Sequence, residues 1–323
     1  MSFTAALMRT ALAMAVLTGA PCARAQDYPA RSIRLILPYN PGGIVDYVGR
    51  TIGQGLSQVS GQSVVPENKP GAGGIIGTRA VATSDPDGYT LLVMDPAIVI
   101  NPLLQTEINY DLFKDLRVVS VVSSSPLVLV TTPSLPVASV QDLVDYARAN
   151  PGTLNYASAG VGTTPHLAGE LLRMHTGIAV THVPYRGIAS SFSDLMTAKV
   201  QFSFSGIPGA KPLTDDHRLR ALATTATKRS PAYPELPTVI EAGLPGFDVD
   251  LWIAVFAPSS TPDLVVNRLN AMLRQALSDP AAAAALAKFG VEARLTSPSD
   301  GVAFVRTEYQ KWKQVIEAAH LKL

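Results

Sequence analysis

The sequence predicts an α/β protein of two lobes, joined by crossing strands with a ligand cleft between them. Three observations lead there. Short apolar runs alternate with longer runs at helical spacing from residue 33 to residue 224, the pattern of sheets covered by helices. Two strand-like stretches, 117–132 and 251–257, interrupt that alternation and read as passages from one lobe to the other. Two glycine-bearing junctions, at 38–46 and 155–166, each join a strand to a helix, one in each proposed lobe. The chain then divides into a leader at 1–25, a first domain of 26–124 plus 251–323, and a second domain of 125–250.

The leader comes first. Arg9 precedes an apolar segment at 11–20, and Ala23-Arg24-Ala25 fits a small-x-small cleavage pattern, which reads as a secretory signal peptide. The apolar run is too short to span a bilayer comfortably. The single cysteine, Cys22, lies inside the leader, and Pro21 stands where lipid attachment favours a small residue. The exported chain is expected to hold no disulfide and no reactive thiolate. The whole chain has 26 basic and 25 acidic side chains, and loss of Arg9 and Arg24 leaves 24 against 25. So near-neutral a balance gives no reason to expect nucleic acid as a partner. Roughly 300 remaining residues suit two domains with sizeable cores.

The elements follow in order. Residues 33–37 form a strand, and 44–59 a helix with apolar positions 44, 48, 52, 56 and 59 on one face. A second strand starts at Val64, and the glycine-rich stretch 70–77 leads into a helix through Val81. Asp85-Pro86-Asp87-Gly88 is a turn before a buried strand at 90–94, an order that points to a parallel sheet. The stretch 117–132 is two strands broken by Ser123-Ser124-Ser125-Pro126. Ser139 with Asp142 starts a helix to residue 149 in the manner of a capping box. Strands at 153–157, 180–183, 200–204 and 219–224 and a helix at 166–174 complete the second lobe. After the return at 251–257 the chain is helical at 263–277, 281–289 and 299–321. In open α/β sheets, ligands bind beyond the carboxyl ends of the strands.

The chemistry gathers at the two junctions. Pro38-Tyr39-Asn40-Pro41-Gly42-Gly43 ends a strand and opens a helix, with no Lys, Arg or His before Tyr47. Glycines there let backbone N–H groups approach a ligand, and the unpaired N–H groups of a helix start favour an anion. Asp46 in the first turn is most simply a dipole partner, and its functional reading is to brace the loop or order a water. The second junction runs Ser158-Ala159-Gly160-Val161-Gly162-Thr163-Thr164-Pro165-His166, with Thr164 expected at the N-cap and Pro165 at the first helical position. Each loop alone is also explained as an ordinary helix start. A helix end contributes about 0.3–1 kcal/mol to an exposed charge and each hydrogen bond to an anion about 1.5–3 kcal/mol, whereas micromolar binding needs roughly 8 kcal/mol. Two loops acting together reach that figure where one open loop does not.

Other patterns carry less. Gly71-Ala72-Gly73-Gly74-Ile75-Ile76-Gly77 has Ile76 where a dinucleotide fingerprint places its third glycine, and no Lys-Ser/Thr follows, so close packing is the preferred reading. No GxSxG elbow surrounds Ser158, and His166, His175, His182, His217 and His320 have no metal-ligand spacing. No catalytic residue, metal or cofactor is expected. His175 and His182 read as surface or structural, and Trp252 and Tyr309 as core or rim aromatics.

Ordered blocks through the chain after the leader add a family likeness. They include Pro38 to Asp46, Glu67-Asn68-Lys69-Pro70-Gly71-Ala72-Gly73-Gly74, Pro86-Asp87-Gly88-Tyr89-Thr90-Leu91-Leu92, Asn155-Tyr156-Ala157-Ser158, His166-Leu167-Ala168-Gly169-Glu170, His182-Val183-Pro184-Tyr185-Arg186-Gly187 and Glu241-Ala242-Gly243-Leu244-Pro245-Gly246. The chain resembles the substrate-binding proteins of tripartite tricarboxylate transporters, the Bug family. That resemblance implies a monomeric periplasmic binding protein of the two-lobed type II kind, which hands a carboxylate to a membrane permease. It implies ligand contacts at Tyr39, Pro41, Gly42, Gly43 and Asp46, and at Ser158, Ala159, Gly160, Thr163, Thr164 and His166. Two departures bear on the ligand: Asp95-Pro96-Ala97-Ile98 and Ser205-Gly206-Ile207 replace more polar stretches of many relatives. With Ile98, Gly206 and Ile207 added to the site, a ring sandwiched by Tyr39, Ile98 and Ile207 buries on the order of 100 Å², about 2.5 kcal/mol. The expected ligand is therefore a dicarboxylate, with an aromatic one such as terephthalate favoured. A receptor that signals to a membrane sensor, or a hydrolase in the same cleft, are the rival readings.

Overall fold

The computed structural model describes residues 28–105, 108–287, 290–318 and 321. The expected signal peptide at 1–25 lies outside the described residues, as do Phe289 and His320.

The first lobe opens with β1 (Ile33–Leu37), α1 (Ile44–Ser60) and β2 (Val64–Asn68). A 3₁₀ turn, Ala72–Gly74, leads into α2 (Ile75–Ala82), followed by β3 (Thr90–Met94), α3 (Ala97–Leu104), α4 (Leu112–Asp115) and β4 (Leu116–Ser124). The second lobe holds β5 (Leu127–Thr131), α5 (Val140–Ala149), β6 (Leu154–Ser158), α6 (Thr164–Thr176) and β7 (Val180–Pro184). It continues through a 3₁₀ turn at Ile188–Ser191, then α7 (Phe192–Met196), β8 (Phe202–Gly206), α8 (Ile207–Asp215) and β9 (Arg220–Thr224). The chain returns as β10 (Ile253–Pro258) and ends with α9 (Asp263–Leu277), α10 (Pro280–Ala287), β11 (Glu292–Ala293) and α11 (Pro298–Ala318).

Two sheets result, ordered β11-β4-β10-β3-β1-β2 and β7-β6-β8-β5-β9. The strands at 33–37, 64–68 and 90–94 are parallel as expected, and antiparallel strands join them in a mixed sheet. In the first sheet β1 is parallel to β2 and β3, but β10 runs antiparallel to β3 and β4. In the second, β6 is parallel to β7 and β8 while β5 is antiparallel to β8 and β9. Of the antiparallel members, β5 and β10 are the strands that enter a lobe from the other one, so their direction is set by the crossing and not by a helical crossover, while the two-residue β11 pairs antiparallel with β4 at the sheet edge.

The crossings run side by side. Ser124 Oγ and Ser125 N both donate to the Asp250 carboxylate, and Leu251 N donates to Ser125 O at 2.9 Å. The Ser-Ser-Ser-Pro interruption is thus the outward passage, clasped to the return passage just ahead of β10.

Packing explains α1. Its Val45, Val48, Ile52 and Leu56 are buried in a core shared with β1, β3, β10 and α9. Gly49 and Gly53 admit Leu37 and Pro66, and Gly55 lies where a Cβ would come 2.8 Å from the Cβ of Ala276 on α9. Four helices are absent from the periodicity reading: the short α4 and α7, and the longer α3 and α8. α3 and α8 each contain a proline, Pro102 and Pro212, that reads as a breaker in sequence. Ala97 to Asn101 are all buried, so α3 has no solvent face to give it amphipathic spacing.

Candidate functional site

The first loop is built by β1, α1 and β2 together. Gly42 has φ +95° and its N–H donates to Asp46 Oδ2 at 3.0 Å. The other Asp46 oxygen accepts from Arg50 Nε at 3.0 Å and Asn68 Nδ2 at 2.9 Å, and Asn68 also donates to Tyr39 O. Burial works against this charge, but the hydrogen bonds from Arg50, Asn68 and Gly42 outweigh it and hold the carboxyl below its ordinary value. Asp46 is therefore the brace, and it engages Arg50, the nearest cation that follows the loop. Pro41, Gly42 and Gly43 stay exposed, with open space where a Cβ of either glycine would point. Tyr39 turns inward and donates its hydroxyl to Asp95 Oδ1 at 2.8 Å, which also receives Ala97 N at 3.0 Å.

The second loop is tied from behind. Gly160 N donates to Ser158 Oγ at 3.0 Å, Thr163 Oγ1 donates to Gly160 O at 2.7 Å, and Gly162 N donates to His166 Nδ1 at 3.2 Å. Thr163, not Thr164, occupies the N-cap, a correction to the sequence reading; Pro165 is then the second helical residue. Thr163 caps no helical N–H because its hydroxyl closes the loop instead. Thr164 is fully buried and its hydroxyl has no partner within the protein. Ala159 and Gly160 are part-exposed on the rim.

The loops meet on α3, which sequence reasoning missed. The first loop reaches its start through the Tyr39–Asp95 bond. Asn101, fully buried, donates from Nδ2 to Gly73 O at 3.0 Å, while its Oδ1 has no partner. A Cβ at Gly162 would lie 3.2 Å from that Oδ1 and 3.3 Å from Leu104 Cδ1. Thus α3 of the first lobe carries Gly162 of the second. The Asp-Pro at 95–96, with Asp95 accepting Ala97 N, was the available signal for this helix, and Pro102 masked it.

The residues expected to sandwich a ring fall in different core clusters. Ile98 lies in the core that Tyr39 packs against. Ile207 lies in a separate cluster on the second sheet, with Val128, Ala157 and Tyr233. It is fully buried, and its Cδ1 would be 2.7 Å from a Cβ at Gly290. Gly206 is the part-exposed N-cap of α8, paired with Leu127.

His182, read from the sequence as a surface or structural residue, comes from β7 and reaches the second loop. Its Nε2 lies 2.6 Å from Ser158 Oγ. This is a serine–histidine contact, but the serine is fully buried and already accepts Gly160 N–H, so the pair holds the loop. Among the described residues no group of three or more His, Cys, Asp or Glu is placed to hold a metal ion. What the arrangement offers a ligand is backbone N–H groups and hydroxyls without a cation, suited to a small anion.

Comparison with known proteins agrees with that chemistry. The profile of a family described as the tripartite tricarboxylate transporter family receptor matches residues 48–321. Protein BugT of Bordetella pertussis is 36% identical over 301 residues, spanning 93% of this chain and 92% of that protein. The structure of R. palustris Rpa4515 with adipate matches with a TM-score of 0.88 at 37% identity, over 92% of this chain and 100% of that one. MatC of Rhodopseudomonas palustris, with bound malate, matches with a TM-score of 0.82 at 29% identity, over 90% of this chain and 100% of that one.

Proposed function

Because the chain belongs to the tripartite tricarboxylate transporter receptor family, whose members are periplasmic solute-binding proteins, we propose that it captures a small dicarboxylate between its lobes for a membrane permease of that transporter type. The protein acts as a monomer after export, without chemical change to the ligand. In this reading the lobes are 26–124 plus 251–323 and 125–250, in keeping with the division of strands between the two sheets.

One observation carries the proposal. Two glycine-lined loops from separate sheets, neither bringing a cation to its rim, meet one helix, the first just ahead of its start at Asp95 and the second further along at Asn101. Those points are on the order of 9 Å apart at 1.5 Å per residue, comparable with the length of a short dicarboxylate. Pro41, Gly42 and Gly43 face the ligand from one side, and Ala159, Gly160, Thr163 and Thr164 from the other. Asp46, Ser158 and His166 hold the loops in shape.

The ligand class is a dicarboxylate with an apolar middle. Terephthalate is the aromatic candidate and adipate, the ligand of Rpa4515, the straight-chain one. With Ile207 in the α8 core, the apolar contact that favoured a ring is reduced, which weighs toward the straight chain. Calorimetry and thermal shift against terephthalate, phthalate, adipate, malate, citrate and aspartate test this. Adipate or terephthalate should bind with micromolar or tighter affinity, about 8 kcal/mol. A response to citrate or aspartate alone defeats the apolar reading, and silence toward every carboxylate defeats the receptor reading. Capture of the permease from solubilised membranes tests the partner.

A further inference from the structure

We propose that His166 and His182 are positioning residues of the second loop, a pair of uncharged imidazoles that fixes the direction of its backbone N–H groups from behind. The inference rests on the carboxylate-binding reading of that loop, and it assigns the work to residues that need not touch the ligand.

The geometry begins with β6 and β7. Their parallel register sets Tyr156 opposite His182. The rings stack in order: Phe202 on Tyr156 at 5.6 Å between centroids, Tyr156 on His182 at 4.9 Å, and His182 on His166 at 4.1 Å. Gly169 on α6 leaves room for this stack, since a Cβ there would lie 2.2 Å from the Tyr156 ring. The ionisable neighbours are Glu170, which accepts Tyr156 OH at 2.7 Å, and Arg173, which pairs with Glu170 at 2.7 Å.

Each imidazole then holds one part of the loop. Gly162 N is a donor, so His166 Nδ1 must carry a lone pair and its proton sits on Nε2. A doubly protonated His166 loses that bond. Ser158 Oγ has one proton and already accepts from Gly160 N. Either it donates to His182 Nε2, or His182 donates to it and the serine proton goes to Gly160 O at 3.0 Å. Both arrangements exist for neutral His182, and only the second for the cation. Two imidazolium rings at 4.1 Å also repel. Burial lowers the pKa of both histidines, that of His182 to about 4, with the neighbouring His166 adding to the effect and Glu170 opposing it.

The loop they fix has little freedom of its own to keep its form. Gly160 has φ +126° and Gly162 φ +78°, so its shape depends on what its N–H groups bond to. With Gly160 and Gly162 tied inward, the helix-start N–H groups are left for a ligand, beside a fully buried Thr164 hydroxyl that has no partner within the protein.

The test compares two variants by calorimetry with adipate and terephthalate. His182→Phe keeps a stacking ring and removes the nitrogen; binding should weaken about three- to tenfold, the effect of one hydrogen bond. His182→Gln returns a hydrogen-bonding group near Ser158 and should regain most of that loss. Unchanged binding in H182F, or no recovery in H182Q, overturns the proposal. A second readout needs no ligand: long-range ¹⁵N–¹H correlation at pH 7 should show His166 protonated at Nε2 and bare at Nδ1. A charged ring or the opposite tautomer overturns the proposal. If the unaltered protein binds neither probe, the carboxylate reading falls, and the nitrogen spectrum decides this one by itself.

Discussion

Ionised Asp95 sits where little water reaches it. Burial pushes its carboxyl up to about 6, although Tyr39 OH and Ala97 N both donate to it. The sign follows. The folded protein holds this proton more tightly than the unfolded chain, whose value is near 3.8, so the group adds stability as pH falls from about 6 toward 4 and opposes folding above that range. His182 acts the other way, since its folded value of about 4 lies below the ordinary 6.5 and stability is lost as pH falls between them. Asp95→Asn keeps an oxygen for Tyr39 and removes the titration. At pH 7 it should gain up to about 3 kcal/mol, the equivalent of the two-unit displacement. At pH 5 the gain should shrink, and thermal melts of both proteins at the two pH values check it. Asp46 is the opposite kind of acid: its stabilisation is present above the ordinary carboxylate value and lost as pH falls through its lowered one. Its first-turn position left a dipole partner and a loop brace both open in the sequence, and the bonds to Gly42, Arg50 and Asn68 favour the brace. His182 and Asn101 were not legible: one arrives from a strand and the other from a helix that the sequence hides, and only the fold brings them to the loops.

The elements were legible where one face meets water or where turns bound an apolar run. β1, β3 and α9 fall at the expected residues, and α1 ends one residue later than its last apolar position suggests. Helices α3 and α8 escaped because each holds an internal proline, and α3 because it is buried along most of its length. Sheet direction escaped too, since nothing local to 251–257 records which lobe the chain has just left. α6 shows how an element serves the site. Its Gly169 lies against the Tyr156 ring, and Gly169→Ala would push a methyl into a face-packed aromatic that has nowhere to retreat. Overpacking of this kind costs about 1–3 kcal/mol. The variant should melt several degrees lower and bind adipate more weakly, because Tyr156 would press on His182; melting and titration of the same sample check both. An unchanged melt would mean that the ring has room.

The whole molecule depends on α3 carrying Gly162 across the lobe boundary. Gly162→Ala meets two obstacles, the φ of +78° and Asn101 Oδ1 at 3.2 Å. It should favour a more open arrangement, read as a larger radius of gyration in small-angle scattering, with adipate affinity reduced about tenfold or more, the equivalent of 1.4 kcal/mol. Identical scattering for the two proteins would show that this contact does not set the lobe spacing. The two-lobed plan itself was legible because two interruptions of the βα alternation mark the passages. The passages carry a last consequence. Ser124 and Ser125 on one are joined to Asp250 and Leu251 on the other, so the halves hang from neighbouring pins on a single post. A gate hung that way swings along one arc and resists sagging. In the proposed receptor, closure along that arc would bring the same glycine back to the same helix, and recognition would repeat without a search for alignment.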